Sequence, residues 1–193
     1  GRRFRLAHVR FGREIIEVAT FRAAANHADD DHAHDDEGRI IRDNVYGSIE
    51  EDVWRRDFTC NALYYNIADH SIWDFVGGVE HINEKHIVLI GDPEKRLRED
   101  PVRMLRAVRF AAKLGFTVDN SVSNAMRSQV DLLTNVPAAR LFDEFLKLFQ
   151  AGHAERTFDM LHDYGLFAQL FPATNQEIEQ DDTFADFVRA ALR

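Results

Sequence analysis

The sequence predicts an α+β protein in which a mixed region of strands and one helix is followed by a region built of helices alone. Strand-like alternation dominates up to about residue 92, and helical patterns separated by glycine and proline dominate after it. The chain has 193 residues, of which 45% are hydrophobic and 15 are Phe, so it has enough apolar side chains for a real core.

Two short strands are predicted near the start of the chain. "RFRLAHVRF" alternates large or apolar residues with Arg and His, and "EIIEVATF" follows after Gly12, which is the pattern of a hairpin. Two later segments, "SIWDFVGG" and "HIVLIGDP", also read as strands, because each ends at a turn that contains glycine.

Charge is distributed unevenly along this first region. Residues 1–25 carry six Arg against two Glu, whereas residues 26–52 carry two Arg against ten acids. The formal net charge of −9 argues against a generic nucleic-acid binder, so any site for a polyanion must be local. The acidic segment from Arg22 to Arg42 has no apolar face in either period. We expect it to be a mobile loop without a metal.

A helix is predicted from Ser48 to Tyr65. Ser48 has Glu51 three residues later, which is the pattern of a capping box. Apolar residues then repeat every three or four positions and predict a core stripe: Trp54, Phe58, Ala62 and Tyr65. This register turns the polar residues of "RRDFTCN" toward other faces of the helix: Arg55, Arg56, Asp57 and Asn61.

The second region is predicted to contain four helices, at residues 101–114, 121–129, 138–150 and 154–164. In the first of them the apolar positions fall on one side: Met104, Leu105, Val108, Ala111 and Ala112. Pro101 suits the first helical position, which makes Asp100 the predicted N-cap.

Two sets of polar residues have both a structural and a functional interpretation. Asp100 can cap its helix with Arg103 paired to nearby acids, or the two can present an acceptor and a forked donor to a nucleobase edge. Arg55 and Arg56 can be solvated surface charges, or can hold the phosphates of a nucleotide. From spacing alone, both alternatives stay open in each set.

A family resemblance favours the functional interpretations. The segments "GRRFRLAHV", "EVATFR", "RRDFTCNALYY", "DFVGG", "LIGDPEKRLREDPVRMLRAVRFAAKLGF" and "PAARLFDEFLKL" follow one another as in the bacterial poly(A) polymerases. These enzymes belong to the class II tRNA nucleotidyltransferase superfamily, and the similarity covers roughly residues 1–172. The opening segment and the "REDPVRMLRAVRFAAKL" segment resemble the poly(A) polymerase branch more than the CCA-adding branch.

The resemblance implies three parts: residues 1–92 as the C-terminal part of a nucleotidyltransferase head, residues 93–173 as a helical neck, and residues 174–193 as the start of a truncated body domain. The head of this family is a small antiparallel sheet with helices. The implied reaction transfers AMP from ATP to an RNA 3′ hydroxyl with two Mg²⁺ ions, so ATP and an RNA 3′ end are the expected partners.

The resemblance also implies roles for individual residues. Glu17, in "EVATFR", matches the third metal-binding acid of the family, and Arg22, which ends the same motif, is implied to face the triphosphate. Residues of "RRDFTCN" match the nucleotide site: Arg55, Arg56, Asp57 and Asn61. Residues of "EDPVRMLR" match the motif that recognises the base: Asp100 and Arg103, with Arg106 nearby.

One departure from the family pattern concerns the metal site. The Gly-Ser pair and the Asp-x-Asp of the family lie upstream of the segment at which this sequence begins, and the Asp-x-Asp at residues 29–31 follows Glu17 in an acidic loop. We therefore expect a fragment, or a truncated relative, that is inactive by itself. The alternatives are a CCA-adding enzyme and a non-catalytic RNA-binding or nucleotide-binding relative.

The sequence also predicts the cellular location. No run approaches 18 uncharged apolar residues, and "GRRFRLAHVR" lacks the apolar centre of a signal peptide. The single Cys60 fits a reducing compartment. We therefore expect a cytoplasmic protein that does not contact a membrane.

Overall fold

The computed structural model describes residues 6–23 and 46–193. Apart from Arg22 and Ala23, the acidic loop predicted between Arg22 and Arg42 lies outside these residues. The chain divides after Arg56 into two compact units, and each is considered by itself.

The first unit contains the predicted hairpin and one helix. Strands β1 (Ala7–Phe11) and β2 (Glu14–Val18) pair antiparallel, and the turn between them places Gly12 at φ +59°, a conformation that suits glycine. Helix α1 (Ile49–Arg55) begins with the predicted capping box. The Ser48 Oγ accepts from the Glu51 N–H at 3.2 Å, and the Ser48 N–H donates to Glu51 Oε2 at 2.7 Å.

The prediction of one helix from Ser48 to Tyr65 was wrong. Helix α1 ends at Arg55, and the chain continues through extended backbone and a short 3₁₀ helix (Thr59–Asn61) into strand β3 (Leu63–Asn66). Of the predicted stripe, Phe58 and Ala62 are buried, but Trp54 is 56% exposed and Tyr65 is 59% exposed. The stripe mixed residues of three different elements.

The second unit contains two small sheets. Strand β3 pairs antiparallel with β4 (Ser71–Asp74), and β5 (His86–Ile87) pairs in parallel with β6 (Thr117–Val118). The strands predicted in "SIWDFVGG" and "HIVLIGDP" are present, although both are short. The sequence pattern gave no sign of β6, which has two residues.

Helices make up most of the rest of this unit. Four were predicted and are confirmed to within one residue at either end: α4 (Val102–Leu114), α5 (Asn120–Ser128), α6 (Ala138–Phe149) and α7 (Ala154–Asp163). Five were not predicted: α2 (Gly78–Asn83), α3 (Pro93–Glu99), α8 (Leu166–Leu170), α9 (Pro172–Gln180) and α10 (Asp182–Ala191). The α+β fold class is confirmed. Within residues 6–23 and 46–193, no helix combines the length and apolar character needed to cross a membrane.

Helix α4 lies at the centre of the hydrophobic core of the second unit. Its predicted apolar face is buried as expected: Met104, Leu105, Val108, Ala111 and Ala112. Phe58, Val122, Leu148 and Phe158 belong to the same core. Helices α6 and α7 pack directly against α4, the Phe58 ring packs against Phe110 of α4, and α5 packs against α3. The opposite side of α4 therefore carries its arginines at a fixed position.

Candidate nucleotide-binding site

A basic cavity lies at the end of α1 in the first unit. Its volume is about 290 Å³, and four charged side chains line it: Arg22, Asp52, Arg55 and Arg56. The Asp52 Oδ2 accepts from Arg56 Nε at 3.2 Å and from Arg56 Nη2 at 3.1 Å. With three guanidinium groups and one carboxylate, the cavity has an excess of positive charge.

Arg22 reaches this cavity because two distant segments approach closely. Arg22 and Tyr46 form an isolated antiparallel bridge, the Gly47 N–H donates to the Phe21 carbonyl at 3.1 Å, and the Arg22 N–H donates to Asp52 Oδ1 at 3.3 Å. A Cβ atom at Gly47 would collide with the backbone of Arg22 and Ala23. The absent side chain thus lets Arg22 join the two arginines of "RRD".

The second unit begins with Asp57, whose carboxylate is held from several sides. Its Oδ1 accepts from the Phe58 N–H at 2.9 Å and from Asn61 Nδ2 at 3.3 Å. Its Oδ2 accepts from Arg106 Nε at 2.6 Å and also contacts Arg106 Nη2. Asp57 is therefore paired with Asn61, and Arg106 of α4 completes the cluster.

Backbone pairing fixes the position of Asp57. Its carbonyl accepts from the Ile90 N–H at 2.9 Å, and the Thr59 N–H donates to the Val88 carbonyl at 3.0 Å. These bonds hold "DFT" as an extended segment beside residues 88–90, which is why the helix stops before Asp57. The side chain of Asp57 is 13% exposed and that of Arg106 is 31% exposed, so solvent still reaches the pair.

The "DFVGG" segment supports the 3₁₀ helix that carries Asn61. A Cβ atom at Gly78 would lie 2.5 Å from the Thr59 carbonyl oxygen, so α2 can pack there only with glycine. Asp74 accepts from the backbone N–H groups of Val76, Gly78 and Val79 at 2.9–3.1 Å. Burial by itself raises the pKa of Asp74, but these hydrogen bonds outweigh it and leave the pKa below its usual value.

Asp100 and Arg103 form the charged cluster that the structural interpretation predicted. Asp100 is the C-cap of α3, which ends at Glu99. The N-cap of α4 is Pro101 and not Asp100 as predicted, although Asp100 Oδ1 accepts from the Val102 N–H at 3.2 Å. Arg103 Nη1 donates to the Arg96 carbonyl at 2.6 Å and to Glu99 Oε2 at 3.3 Å.

The environment of Arg103 also affects its pKa. Burial lowers the pKa of its guanidinium, and the neighbouring Arg96 acts in the same direction, while Asp100 and Glu99 oppose both. Its side chain is 14% exposed. The contacts of Arg103 are those of a structural ion pair, and its role in base recognition stays a prediction.

Sequence reasoning missed Arg140 of α6. Its Nη2 donates to Asp100 Oδ2 at 2.7 Å, so the second oxygen of the candidate base-reading carboxylate has a cation beside it. The residue lies in "PAARLFDEFLKL", which was recognised as a motif without a role for its charged positions. Charged residues on a helix whose other positions are mostly apolar were the signal that could have identified it.

The residues described do not fit a site for two Mg²⁺ ions by themselves. Such ions require several carboxylate oxygens in one place. Glu17 lies on β2 opposite His8, with 67% of its side chain exposed and its Oε1 3.5 Å from His8 Nε2. Across residues 6–23 and 46–193, no group of three His, Cys, Asp or Glu side chains is arranged to hold a metal.

Family models match two parts of the chain. One is described as the poly A polymerase head domain and matches residues 1–88, and the other is described as a probable RNA and SrmB-binding site of polymerase A and matches residues 115–178. The first contains Glu17, the basic cavity and Asp57; the second begins where α4 ends.

Full-length relatives show the same similarity. The chain is 52% identical over 191 residues to poly(A) polymerase I of Haemophilus influenzae, covering 96% of the chain and 42% of the relative. It is 37% identical over 157 residues to the CCA-adding enzyme of Bacillus subtilis, covering 81% and 38%. The chain thus spans less than half the length of these relatives.

The fold also agrees with that of solved structures. A tRNA nucleotidyltransferase complexed with a primer tRNA and an incoming ATP analog has a TM-score of 0.70 at 27% identity, over 87% of this chain and 45% of that one. The order of the motifs, the two family models and this structural match agree, so the chain belongs to the poly(A) polymerase family of the class II tRNA nucleotidyltransferase superfamily.

Proposed function

We propose that this chain provides nucleotide-binding residues of a template-independent polynucleotide adenylyltransferase, which transfers AMP from ATP to RNA 3′ ends. The observation that carries the proposal is the convergence of Arg22, Arg55 and Arg56 on one cavity. Three guanidinium groups in one concave site suit a triphosphate, because each guanidinium can bind phosphate oxygens through two parallel hydrogen bonds.

Nucleotide-binding residues are also proposed in the second unit, considered by itself. Asp57, Asn61 and Arg106 form a preorganised polar cluster whose guanidinium remains partly exposed. Asp100 offers a carboxylate that can accept from the exocyclic amine of adenine, with Arg103 as the neighbouring forked donor. A base that binds Asp100 Oδ2 has to share or replace the hydrogen bond from Arg140.

RNA and Mg²⁺ complete the proposal. We propose an RNA 3′ end as the acceptor, supported by the family model over residues 115–178 and by the primer tRNA in the structural relative. Glu17 is proposed as one ligand of the two Mg²⁺ ions that the family resemblance implies. We propose that the reaction takes place in the cytoplasm.

The same residues also suit a CCA-adding enzyme, which is the second candidate function. The adenylyltransferase is preferred because identity is 52% to a poly(A) polymerase I and 37% to a CCA-adding enzyme. The two candidates differ in their substrates, since the first uses ATP alone and the second uses CTP and ATP.

Calorimetric titration of ATP and CTP into the 193-residue chain tests the phosphate site. The double variant Arg55→Ala/Arg56→Ala is expected to weaken both nucleotides alike, since phosphates are common to both. Each lost charged hydrogen bond contributes roughly 1.5–3 kcal/mol, or about ten- to hundredfold in affinity. Arg98→Ala is the control, because Arg98 is an exposed α3 residue paired only with Glu94 in the described contacts. Unchanged ATP affinity in the double variant would exclude a phosphate site at this cavity.

A second titration tests base recognition. Arg103→Ala is expected to change the ratio of ATP to CTP affinity, whereas Arg56→Ala is expected to leave the ratio unchanged. If Arg103→Ala keeps the ratio while the variant remains folded, Asp100 and Arg103 have only their structural roles.

A further inference from the structure

Helix α4 carries a third arginine, Arg109, which forms a buried ion pair with α6. Arg109 Nε lies 3.7 Å from Glu144 Oε2, and the two side chains are 19% and 7% exposed. Both of these atoms are buried, and neither has a hydrogen-bond partner in the part of the chain that the structure describes. The other oxygen, Glu144 Oε1, accepts from Lys147 Nζ at 2.7 Å.

Stability alone does not explain this pair. Removing two charges from water is costly, and an ion pair at 3.7 Å without a hydrogen bond recovers little of that cost. Apolar residues of similar size in place of a buried ion pair are often neutral or stabilising. The charges of Arg109 and Glu144 therefore call for a role other than packing α4 against α6.

The surroundings of Arg109 indicate that role. The Cζ atom of Arg109 lies 4.5 Å from the centre of the Phe110 ring, and the Cζ atom of Arg106 lies 5.4 Å from the same centre. The Phe110 ring also packs edge-on against Phe58 with ring centres 5.5 Å apart. Phe58 directly follows Asp57, which Arg106 binds. Two cations thus lie against one aromatic ring, with Arg106 paired to Asp57 and Arg109 paired to Glu144.

We propose that Glu144 is a positioning residue for the Asp57–Arg106 pair. Its carboxylate neutralises Arg109, so that repulsion between the two guanidinium groups does not move Arg106 away from Asp57. Arg109 and Glu144 are 19% and 7% exposed, so water screens the charges of this pair only weakly and the compensation is effective. The predicted effect on ATP rests on the proposed function, whereas the predicted effect on Arg106 does not.

The position of Arg106 can be measured directly in the ¹⁵N-labelled 193-residue chain. Its Nε–Hε signal, identified by its loss in Arg106→Lys, is expected downfield and protected from exchange because the group donates to Asp57. Glu144→Gln is expected to shift this signal toward that of a free arginine. Glu144→Asp withdraws the carboxylate by one methylene and is expected to act in the same direction, which keeps the test valid if Glu144→Gln does not fold.

A rescue variant separates charge compensation from packing. Arg109→Met/Glu144→Leu removes both charges, and its Arg106 signal is expected at the wild-type position. In ATP titrations we expect Glu144→Gln to lose about tenfold in ATP affinity, a size typical of coupled neighbouring charges. The double variant is expected to recover to within about twofold of the wild-type affinity. Glu155→Gln, which breaks the exposed pair with Arg193, is the control and is expected to change neither reading.

Two results would overturn the proposal: an Arg106 signal that does not move in either Glu144 variant, or a double variant as impaired as Glu144→Gln. If the wild-type chain binds no ATP, the proposed function fails, while the Arg106 signal still decides the role of Glu144.

Discussion

Replacing Asp57 and Arg106 separately and together tests whether their pair organises the second unit. Asp57 Oδ2 receives two contacts from the guanidinium, and the Asp57 side chain is 13% exposed. A hydrogen bond to a charged group contributes roughly 1.5–3 kcal/mol. Because 31% of Arg106 is exposed and solvent weakens the attraction, we expect a coupling free energy of about 2–3 kcal/mol.

The assay is urea unfolding in a Trp54→Phe background, which leaves Trp73 as the single tryptophan and places it in the second unit. Asp57→Asn puts an amide donor toward the guanidinium, and Arg106→Met keeps an apolar stem. Each single variant is expected to lower the urea midpoint of unfolding by about 1 M, which is a loss of about 2–3 kcal/mol divided by a denaturant slope of roughly 2–3 kcal/mol/M. The free energy of unfolding that the double variant loses is expected to be much smaller than the sum of the losses of the two single variants.

A matched cycle at Glu155 and Arg193 shows what burial contributes. That pair has a hydrogen bond of 2.7 Å but is exposed to solvent, so no measurable coupling is expected there. Additive losses for Asp57 and Arg106 would refute the reasoning, because the pair would then be no stronger than a surface ion pair.

Three further outcomes are expected. Gly78→Ala should destabilise the second unit by about 1–3 kcal/mol in the same assay, through the collision with the Thr59 carbonyl, and an unchanged midpoint would contradict this. Asp119→Ala should lower the free energy of unfolding by roughly 1 kcal/mol, because Asp119 caps α5. The Ser121 hydroxyl holds the pKa of Asp119 below its usual value, so the stabilisation by this carboxylate is complete above about pH 4 and is lost as the pH falls through the lowered pKa. The difference in stability between Asp119→Ala and wild type should therefore shrink at low pH. With Mg²⁺, labelled ATP and an RNA primer, the 193-residue chain alone should add no significant AMP, since Glu17 is the one metal-binding acid matched in it; efficient tailing would contradict this expectation.

Local sequence determined those elements whose forces are local. The alternation of β1 and β2 around Gly12 predicted the hairpin, and the Ser48 and Glu51 pair predicted where α1 begins. The apolar period of α4 predicted five of its buried residues, and the structure adds Val102 and Ala107 to these. Family motifs also identified the polar residues of the candidate site, among them Asp57, which the structure brings together with Asn61 and Arg106.

Contacts between distant residues decided the rest, and the sequence carries no local signal for them. The apolar spacing from Trp54 to Tyr65 fits a helix, but the hydrogen bonds that join Asp57 and Thr59 with residues 88–90 hold the segment extended. Backbone pairing at those residues satisfies groups that a helix would have satisfied within itself, so the local period did not prevail. Likewise, the ion pairs of Arg140 with Asp100 and of Glu144 with Arg109 are visible only in the tertiary structure. An ion pair between distant segments depends on how the helices pack against each other, and the sequence of either segment alone does not determine it.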